Sequence, residues 1–210
     1  MRDEAAARAW VETEFHVPRE TMERLDAFLG LLIAENRHQN LVSRASIGHL
    51  WLRHVADSAQ LLRLAPESAT SWIDLGTGAG FPGLIVALLH GGRVALVEER
   101  KLRADFLRRA VEALGVSART EVLGSRVEKV EGRPFDVISA RAFAPLPKLL
   151  ALGTRFSTDK TRWILPKGRN ARSELEAAES SWQGEFRIEP SLTDPDAGII
   201  VAQGVKRKRA

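Results

Sequence analysis

The residues best suited to chemistry in this chain stand in one short run, Asp74-Leu75-Gly76-Thr77-Gly78-Ala79-Gly80. Glycine has no Cβ, so such a turn lets the backbone come close to a ligand. Gly-rich turns between a strand and a helix serve nucleotides in general, and the spacing decides between cofactors. Counted from Gly78, the residues Gly78, Gly80 and Gly83 satisfy G-x-G-x-x-G, the dinucleotide fingerprint. Counted from Gly76, the run is G-x-G-x-G with an acid, Asp74, two positions ahead. The second count is the methyltransferase pattern, and it has a physical basis. S-adenosyl-L-methionine has no pyrophosphate to seat on a helix N-terminus. It carries a sulfonium and an α-ammonium, which a carboxylate such as Asp74 suits directly or through water. Gly78 is therefore expected where the cofactor passes, and a dinucleotide oxidoreductase is the weaker reading.

Two further stretches extend such a site. Glu98 ends the apolar run Val94-Ala95-Leu96-Val97, at the distance from the glycines where a carboxylate can accept from both ribose hydroxyls. Gly124-Ser125-Arg126-Val127-Glu128 follows the third strand candidate, in the loop that lies along the adenine in this kind of fold. Backbone groups of Val127 and Glu128 are placed there to read the adenine edge. Ser125 as N-cap and Glu128 as its capping-box partner would fix that backbone at a helix start.

The loop after the fourth strand candidate, Ser139-Ala140-Arg141-Ala142-Phe143-Ala144-Pro145, bears on the methyl acceptor. Methylation of an exocyclic amine usually uses an Asn/Asp-Pro-Pro-Tyr/Phe loop, which is absent, and the chain has no tyrosine. Pyrimidine C5 needs a cysteine nucleophile. The chain has no cysteine, which also removes disulfides and thiolate zinc sites. A ribose 2′-hydroxyl must lose a proton, and Arg141 stays protonated. Guanine N7 has a free lone pair at neutral pH, so it needs no base and positioning can suffice. Arg141 is then a positioning group for cofactor or acceptor, or else a structural ion pair. No catalytic acid or base is expected.

The elements that must carry these residues show in the periodicity. Leu25, Phe28, Leu29, Leu32 and Ile33 recur at helical spacing, and the polar stretch Asn36–Asn40 interrupts them. Ser46 is placed to cap a second helix with Ile47, Leu50, Trp51 and Val55 on its apolar face. From Ser71 the strand candidates Trp72–Leu75, Arg93–Glu98, Thr120–Leu123, Phe135–Ser139 and Arg162–Leu165 alternate with helices starting near Phe81, Lys101, Ser125, Pro145 and Asn170. Such alternation means a parallel sheet with right-handed crossovers. Glu185–Pro190 and Gly198–Gln203 lack a helix between them and read as an antiparallel hairpin on the sheet edge. The expected architecture is a Rossmann-like α/β fold of the class I methyltransferase kind, with a mainly parallel seven-stranded sheet. Residues 1–66 form an N-terminal helical extension packed on the core, and residues 67–210 the methyltransferase domain.

Bulk properties agree with that picture. The 210 residues are 44% hydrophobic, enough for a real core. No apolar run approaches the roughly 20 residues that cross a membrane, and the first ten residues lack the pattern of a signal peptide, so a cytoplasmic protein is expected. The net charge of +4 and sequence pI of about 9.8 permit a polyanionic partner. Lys206-Arg207-Lys208-Arg209 reads as a solvated, frayed terminus in preference to a phosphate-contacting tail.

As a set, these residues resemble the bacterial glucose-inhibited division protein B family, the RsmG methyltransferases. The resemblance is carried by Asn40-Leu41, Arg53-His54-Val55-Ala56-Asp57-Ser58, the stretch Ile73–Gly83, Ser125-Arg126-Val127-Glu128, Arg141-Ala142-Phe143-Ala144 and Lys167-Gly168. These occur in the family's order over more than half the chain. The resemblance implies formation of 7-methylguanosine in 16S ribosomal RNA. It also implies that Gly76 and Phe81 belong to the cofactor loop, Val127 and Glu128 to the adenine side, and Arg141 to the site beyond the fourth strand. Asn40, His54, Asp57 and Lys167 are implied to line the acceptor side. Without it, His54 and Asp57 are a local i,i+3 pair on a helix. Two positions depart from the family's pattern. Leu102-Arg103 stands in place of a Lys-Arg pair, and Asp196-Ala197-Gly198 lacks the family's basic residue before the last strand. The implied partner is 16S ribosomal RNA in the 30S subunit or an assembly intermediate, met by a monomer. Two other readings stand beside this one: a methyltransferase for a small molecule or protein, and a non-catalytic RNA-binding assembly factor that keeps the cofactor fold.

Overall fold

A computed structural model describes residues 1 and 3–209 of the chain. Its centre is β1 (Ser71–Leu75), with four of five residues buried, because helices cover both faces of a parallel sheet. On one side β1 pairs in parallel with β2 (Arg93–Val97), and β2 with β3 (Thr120–Leu123). On the other side it pairs in parallel with β4 (Val137–Ser139), and β4 with β5 (Arg162–Gly168). The hairpin β6 (Trp182–Pro190) and β7 (Gly198–Arg207) completes the seven-stranded order β3-β2-β1-β4-β5-β7-β6, with β7 antiparallel to both neighbours. The strand order reverses between β1 and β4. In such sheets ligands bind outside the carboxyl ends of the strands at that switch point.

Helices α1 (Glu4–Glu14) and α2 (Arg19–Glu35) precede a helical run that passes from π (Trp51–Ala56) through α3 (Asp57–Ala59) to 3-10 (Gln60–Leu64). Their apolar faces join one cluster with α4 (Gly83–Leu89), α5 (Lys101–Ala113) and the near face of the sheet, including Phe28, Leu32, Val55 and Trp72. A second cluster around Trp163 packs α6 (Leu146–Gly153) and α7 (Ala171–Glu179) on the far face.

Several expected boundaries move. Ser46 caps no helix. It is buried in a 3-10 turn (Arg44–His49), and its hydroxyl donates to the Ser43 carbonyl at 2.8 Å. The π-helical run is capped from a distance, since the Glu4 carboxylate accepts the Trp51 and Leu52 amides, each at 2.8 Å. No helix starts at Ser125. Only a 3-10 turn (Val127–Lys129) forms, without a side-chain cap, so the expected capping box is absent. Glu131-Gly132-Arg133-Pro134 follows at once, and proline forces the residue before it out of the helical region. Ile33, expected on the buried face of α2, is 39% exposed. The basic tail is not frayed as far as Lys208. Strand β7 runs to Arg207, Lys206 pairs with Asp159 at 2.8 Å, and the Lys208 amide donates to the Ser181 carbonyl at 2.9 Å.

Candidate functional site

The turn after β1 is left-handed at Gly76 (φ 71°) and Gly78 (φ 60°), where a Cβ would strain the backbone. A Cβ on Gly76 would collide with the Phe143 ring, so this glycine makes room for the aromatic ring arriving from the loop after β4. At Gly78 a Cβ would meet nothing nearer than Arg103 Nη1, at 3.8 Å. The turn therefore offers an open cradle at Gly78, which is the shape a passing ligand needs. It opens on a cleft of about 1350 Å³. Small-molecule sites usually span about 300–1,000 Å³, so the cleft has room for a molecule of cofactor size.

Asp74 does not face that cleft, contrary to its expected place beside a cationic ligand. It is fully buried. Its Oδ2 accepts the Gly83 amide at 2.9 Å and its Oδ1 the Ser139 hydroxyl at 2.7 Å. Ser139 Oγ in turn accepts Trp72 Nε1 at 2.8 Å, so one polar chain ties β1, β4 and the start of α4. Burial pushes the Asp74 carboxyl above the ordinary carboxylate range, against the pull of the Ser139 and Gly83 hydrogen bonds. The helix amide that a pyrophosphate would use is thus filled by the protein's own carboxyl.

Glu98 follows β2 and is only 5% exposed. Its carboxylate accepts the Gly78 amide at 3.0 Å and the Arg100 amide at 2.8 Å, which fixes it against the glycine turn. Each oxygen keeps a lone pair for a further donor. Val127 is buried, while Glu128 is exposed and its carbonyl accepts Arg155 at 2.6 Å.

Across the cleft, Arg141 gathers residues from far upstream. Its Nη1 donates to Asp57 Oδ2 at 3.0 Å and to the Arg53 carbonyl at 3.2 Å. Its Nη2 lies 3.0 Å from His54 Nδ1. A guanidinium only donates, so His54 Nδ1 is the acceptor and the ring proton sits on Nε2. The His54 ring stacks on Phe81 at 4.8 Å, and the guanidinium lies 5.4 Å from the centre of the same ring. Burial, then the charges of Arg141 and Arg53, lower the His54 pKa to about 4, so the ring is neutral at neutral pH. His54 and Asp57 do not bond to each other as an i,i+3 pair; both serve Arg141. Asp57 Oδ1 also accepts the Thr193 hydroxyl at 2.6 Å and the Gln60 amide at 2.9 Å, anchoring the turn between β6 and β7. Lys167 donates to the Ala144 carbonyl at 2.7 Å and pairs with Glu174 at 2.9 Å.

Gly76, Gly78, Phe81, His54, Asp57, Arg141 and Lys167 therefore line one cleft. Glu98, Val127, Glu128 and Asn40 are not in its lining. Glu98 joins it through the Gly78 amide. Asn40 adjoins Leu41, which does line it, and its carbonyl accepts Arg103 Nη2 at 3.1 Å. Sequence reasoning assigned no role to Arg103, Phe143, Gln60 or Thr193. Ala142 sits at φ 51°, a left-handed turn that sends Phe143 back over Gly76, and nothing in an Arg-Ala-Phe triplet announces it.

The sequence pattern of the family described as rRNA small subunit methyltransferase G matches residues 21–194. The chain is 52% identical to the ribosomal RNA small subunit methyltransferase G of Rhizorhabdus wittichii, over 97% of this chain and 94% of that protein. It is 49% identical to the protein of the same name from Zymomonas mobilis, over 97% and 95%. Among solved structures, an O-methyltransferase from Bacillus cereus in complex with SAH superposes with a TM-score of 0.61 at 19% identity, covering 94% of this chain and 97% of that one. A ribosomal protein L11 methylase from Lactobacillus delbrueckii superposes at 0.56 with 18% identity, over 75% and 79%. At such identities the structural likeness speaks for the fold.

Proposed function

The chain belongs to the rRNA small subunit methyltransferase G family, and from that premise we propose that it transfers a methyl group from S-adenosyl-L-methionine to N7 of a guanosine in 16S ribosomal RNA. The cofactor supplies an electrophilic methyl group on its sulfonium; binding and alignment fall to this chain. The observation that most supports N7 is how three titratable groups of the cleft, Asp57, Lys167 and His54, are committed. Asp57 is held by Arg141 and Thr193, Lys167 by Glu174, and the acceptor nitrogen of His54 by Arg141. An acceptor with its own lone pair needs none of them to take a proton. Alignment can contribute about 7–11 kcal/mol in favourable cases.

In this reading Gly76, Gly78 and Phe81 form the cofactor loop, Glu98 takes the ribose hydroxyls, and the backbone of Val127 and Glu128 faces the adenine. Arg141, braced by Asp57, orients cofactor and acceptor above the Phe81–His54 stack. Asn40, His54, Asp57 and Lys167 wall the acceptor side, so residues 1–66 contribute most of the acceptor wall, and residues 67–210 contribute the cofactor half together with Lys167. The acceptor is met as a monomer, in the cytoplasm, on the 30S subunit or an assembly intermediate. The breadth of the cleft supports a macromolecular acceptor, and no helix among the described residues is long and apolar enough to cross a membrane.

The test is to incubate the protein with isotopically methyl-labelled cofactor and either naked 16S RNA or 30S subunits from cells lacking this enzyme. Nucleosides are then identified by mass. Label in 7-methylguanosine, stronger with subunits, is expected. Label in another nucleoside, or none with either RNA, would overturn the assignment.

A further inference from the structure

We propose that Arg103 binds the α-carboxylate of the cofactor's amino-acid end and thereby couples the cofactor to the acceptor-side loop. This rests on the methyltransferase reading above. Arg103 stands in the first turn of α5, and its Nη1 lies 3.8 Å from where a Cβ on Gly78 would be. It lines the same cleft and is half-buried. Its hydrogen-bond partner is a neutral carbonyl, that of Asn40, at 3.1 Å. Among the described residues no carboxylate stands within ion-pair distance of it.

Three basic neighbours on the same helix are satisfied, while Arg100 is exposed to solvent. Lys101 and Arg108 share Asp105, and Arg109 pairs with Glu35. The cleft cations Arg141, Lys167 and Arg169 pair with Asp57, Glu174 and Asp196. Arg53 also lacks an acid, but it is exposed at the rim. A guanidinium held half out of water with only a carbonyl for company is a site prepared for an anion. The cofactor carries one such group, its carboxylate. Charge also orients the ligand across Gly78. Glu98 on one side repels a carboxylate and accepts hydroxyls, and Arg103 on the other does the reverse. Because Nη2 holds Asn40, the guanidinium that takes the carboxylate also braces the segment whose Leu41 and Val42 wall the cleft.

The test uses the full-length protein and calorimetry with two probes, S-adenosylhomocysteine and its decarboxylated analogue. For Arg103→Ala, affinity for S-adenosylhomocysteine should fall about 10- to 100-fold, the range for a charge-assisted hydrogen bond, while affinity for the analogue stays within about twofold. Arg103→Lys should recover part of the loss, since it keeps the charge but not the fork. Equal losses for both probes, or no loss for either, would overturn the proposal. So would a variant that binds both probes normally and loses only ribosomal RNA, which would make Arg103 a phosphate contact. A wild-type protein that binds neither probe would instead refute the cofactor reading itself. Unchanged circular dichroism and unfolding temperature separate all these outcomes from misfolding.

Discussion

Lowering the pH should weaken the fold through His54. In the folded protein its pKa is about 4, against an ordinary 6.5, because burial and the neighbouring charges of Arg141 and Arg53 oppose the imidazolium. As the pH falls below 6.5, the unfolded chain takes up this proton first, and the native ring refuses it until about 4. The unfolded state binds more protons across that window, so stability falls with falling pH. At about 1.36 kcal/mol per pH unit, the whole difference is about 3 kcal/mol, a ceiling because the ring is only partly shielded from solvent. Between about pH 7 and pH 4.5 a loss of about 2 kcal/mol is expected from this residue. His54→Gln removes the titration and keeps a carbonyl oxygen for Arg141 Nη2. Urea unfolding of both proteins across that range checks the claim, since all other titrations are shared. The wild type should lose about 2 kcal/mol more than the variant. Parallel stability curves would show that His54 is not held neutral by its surroundings, and the account of Arg141 as its donor would fall with it.

Gly78→Val should abolish most cofactor affinity yet leave a cooperative fold: φ 60° strains a branched residue by about 1–3 kcal/mol, but no neighbour lies within 3.8 Å of the new Cβ. Calorimetry with S-adenosylhomocysteine reads the first effect and thermal unfolding the second; unchanged affinity would misplace the site. Glu98→Gln keeps one acceptor but turns an NH2 towards the Gly78 or Arg100 amide, so cofactor binding should weaken by about 1–3 kcal/mol. A loss of only a few tenths would leave Glu98 no part in binding. Affinity for ribosomal RNA should fall steeply with salt while cofactor affinity barely changes. Equal responses would argue for a small neutral acceptor.

What the sequence revealed follows from the range of the forces involved. The parallel strands are legible because burial on both faces makes them continuous apolar runs, and the glycine turn because local geometry demands its residue types. Thr120–Leu123 is found as expected, and the edge hairpin shows in the missing helix between its strands. Contacts between distant segments leave no local signal. Asp57 reads as a helix-surface acid until the fold brings Arg141, 84 residues away, and Thr193, 136 away, onto its two oxygens. Glu4 caps amides 47 and 48 residues downstream for the same reason. Asp74 misled in another way. Its place before the glycines is informative, but the sequence cannot tell whether the carboxyl faces the ligand or the core. Here Ser139 and Gly83 hold it in the core. The basic tail read as frayed because charge usually means solvent, whereas the end of β7, beyond its pairing with β5, runs beside the edge strand β6 alone, where charged residues are well tolerated.

Positioning without a general base at guanine N7 can be read from single-turnover methylation of 30S subunits from a strain lacking the enzyme, followed by borohydride reduction and aniline cleavage. Methylation at N7 makes the purine cationic and its glycosidic bond labile. One new break, at a guanosine, is expected, with a rate that stays flat across the neutral pH range. A methyl group on a ribose or an exocyclic amine, or a rate rising about tenfold per pH unit as a titrating base requires, would contradict it.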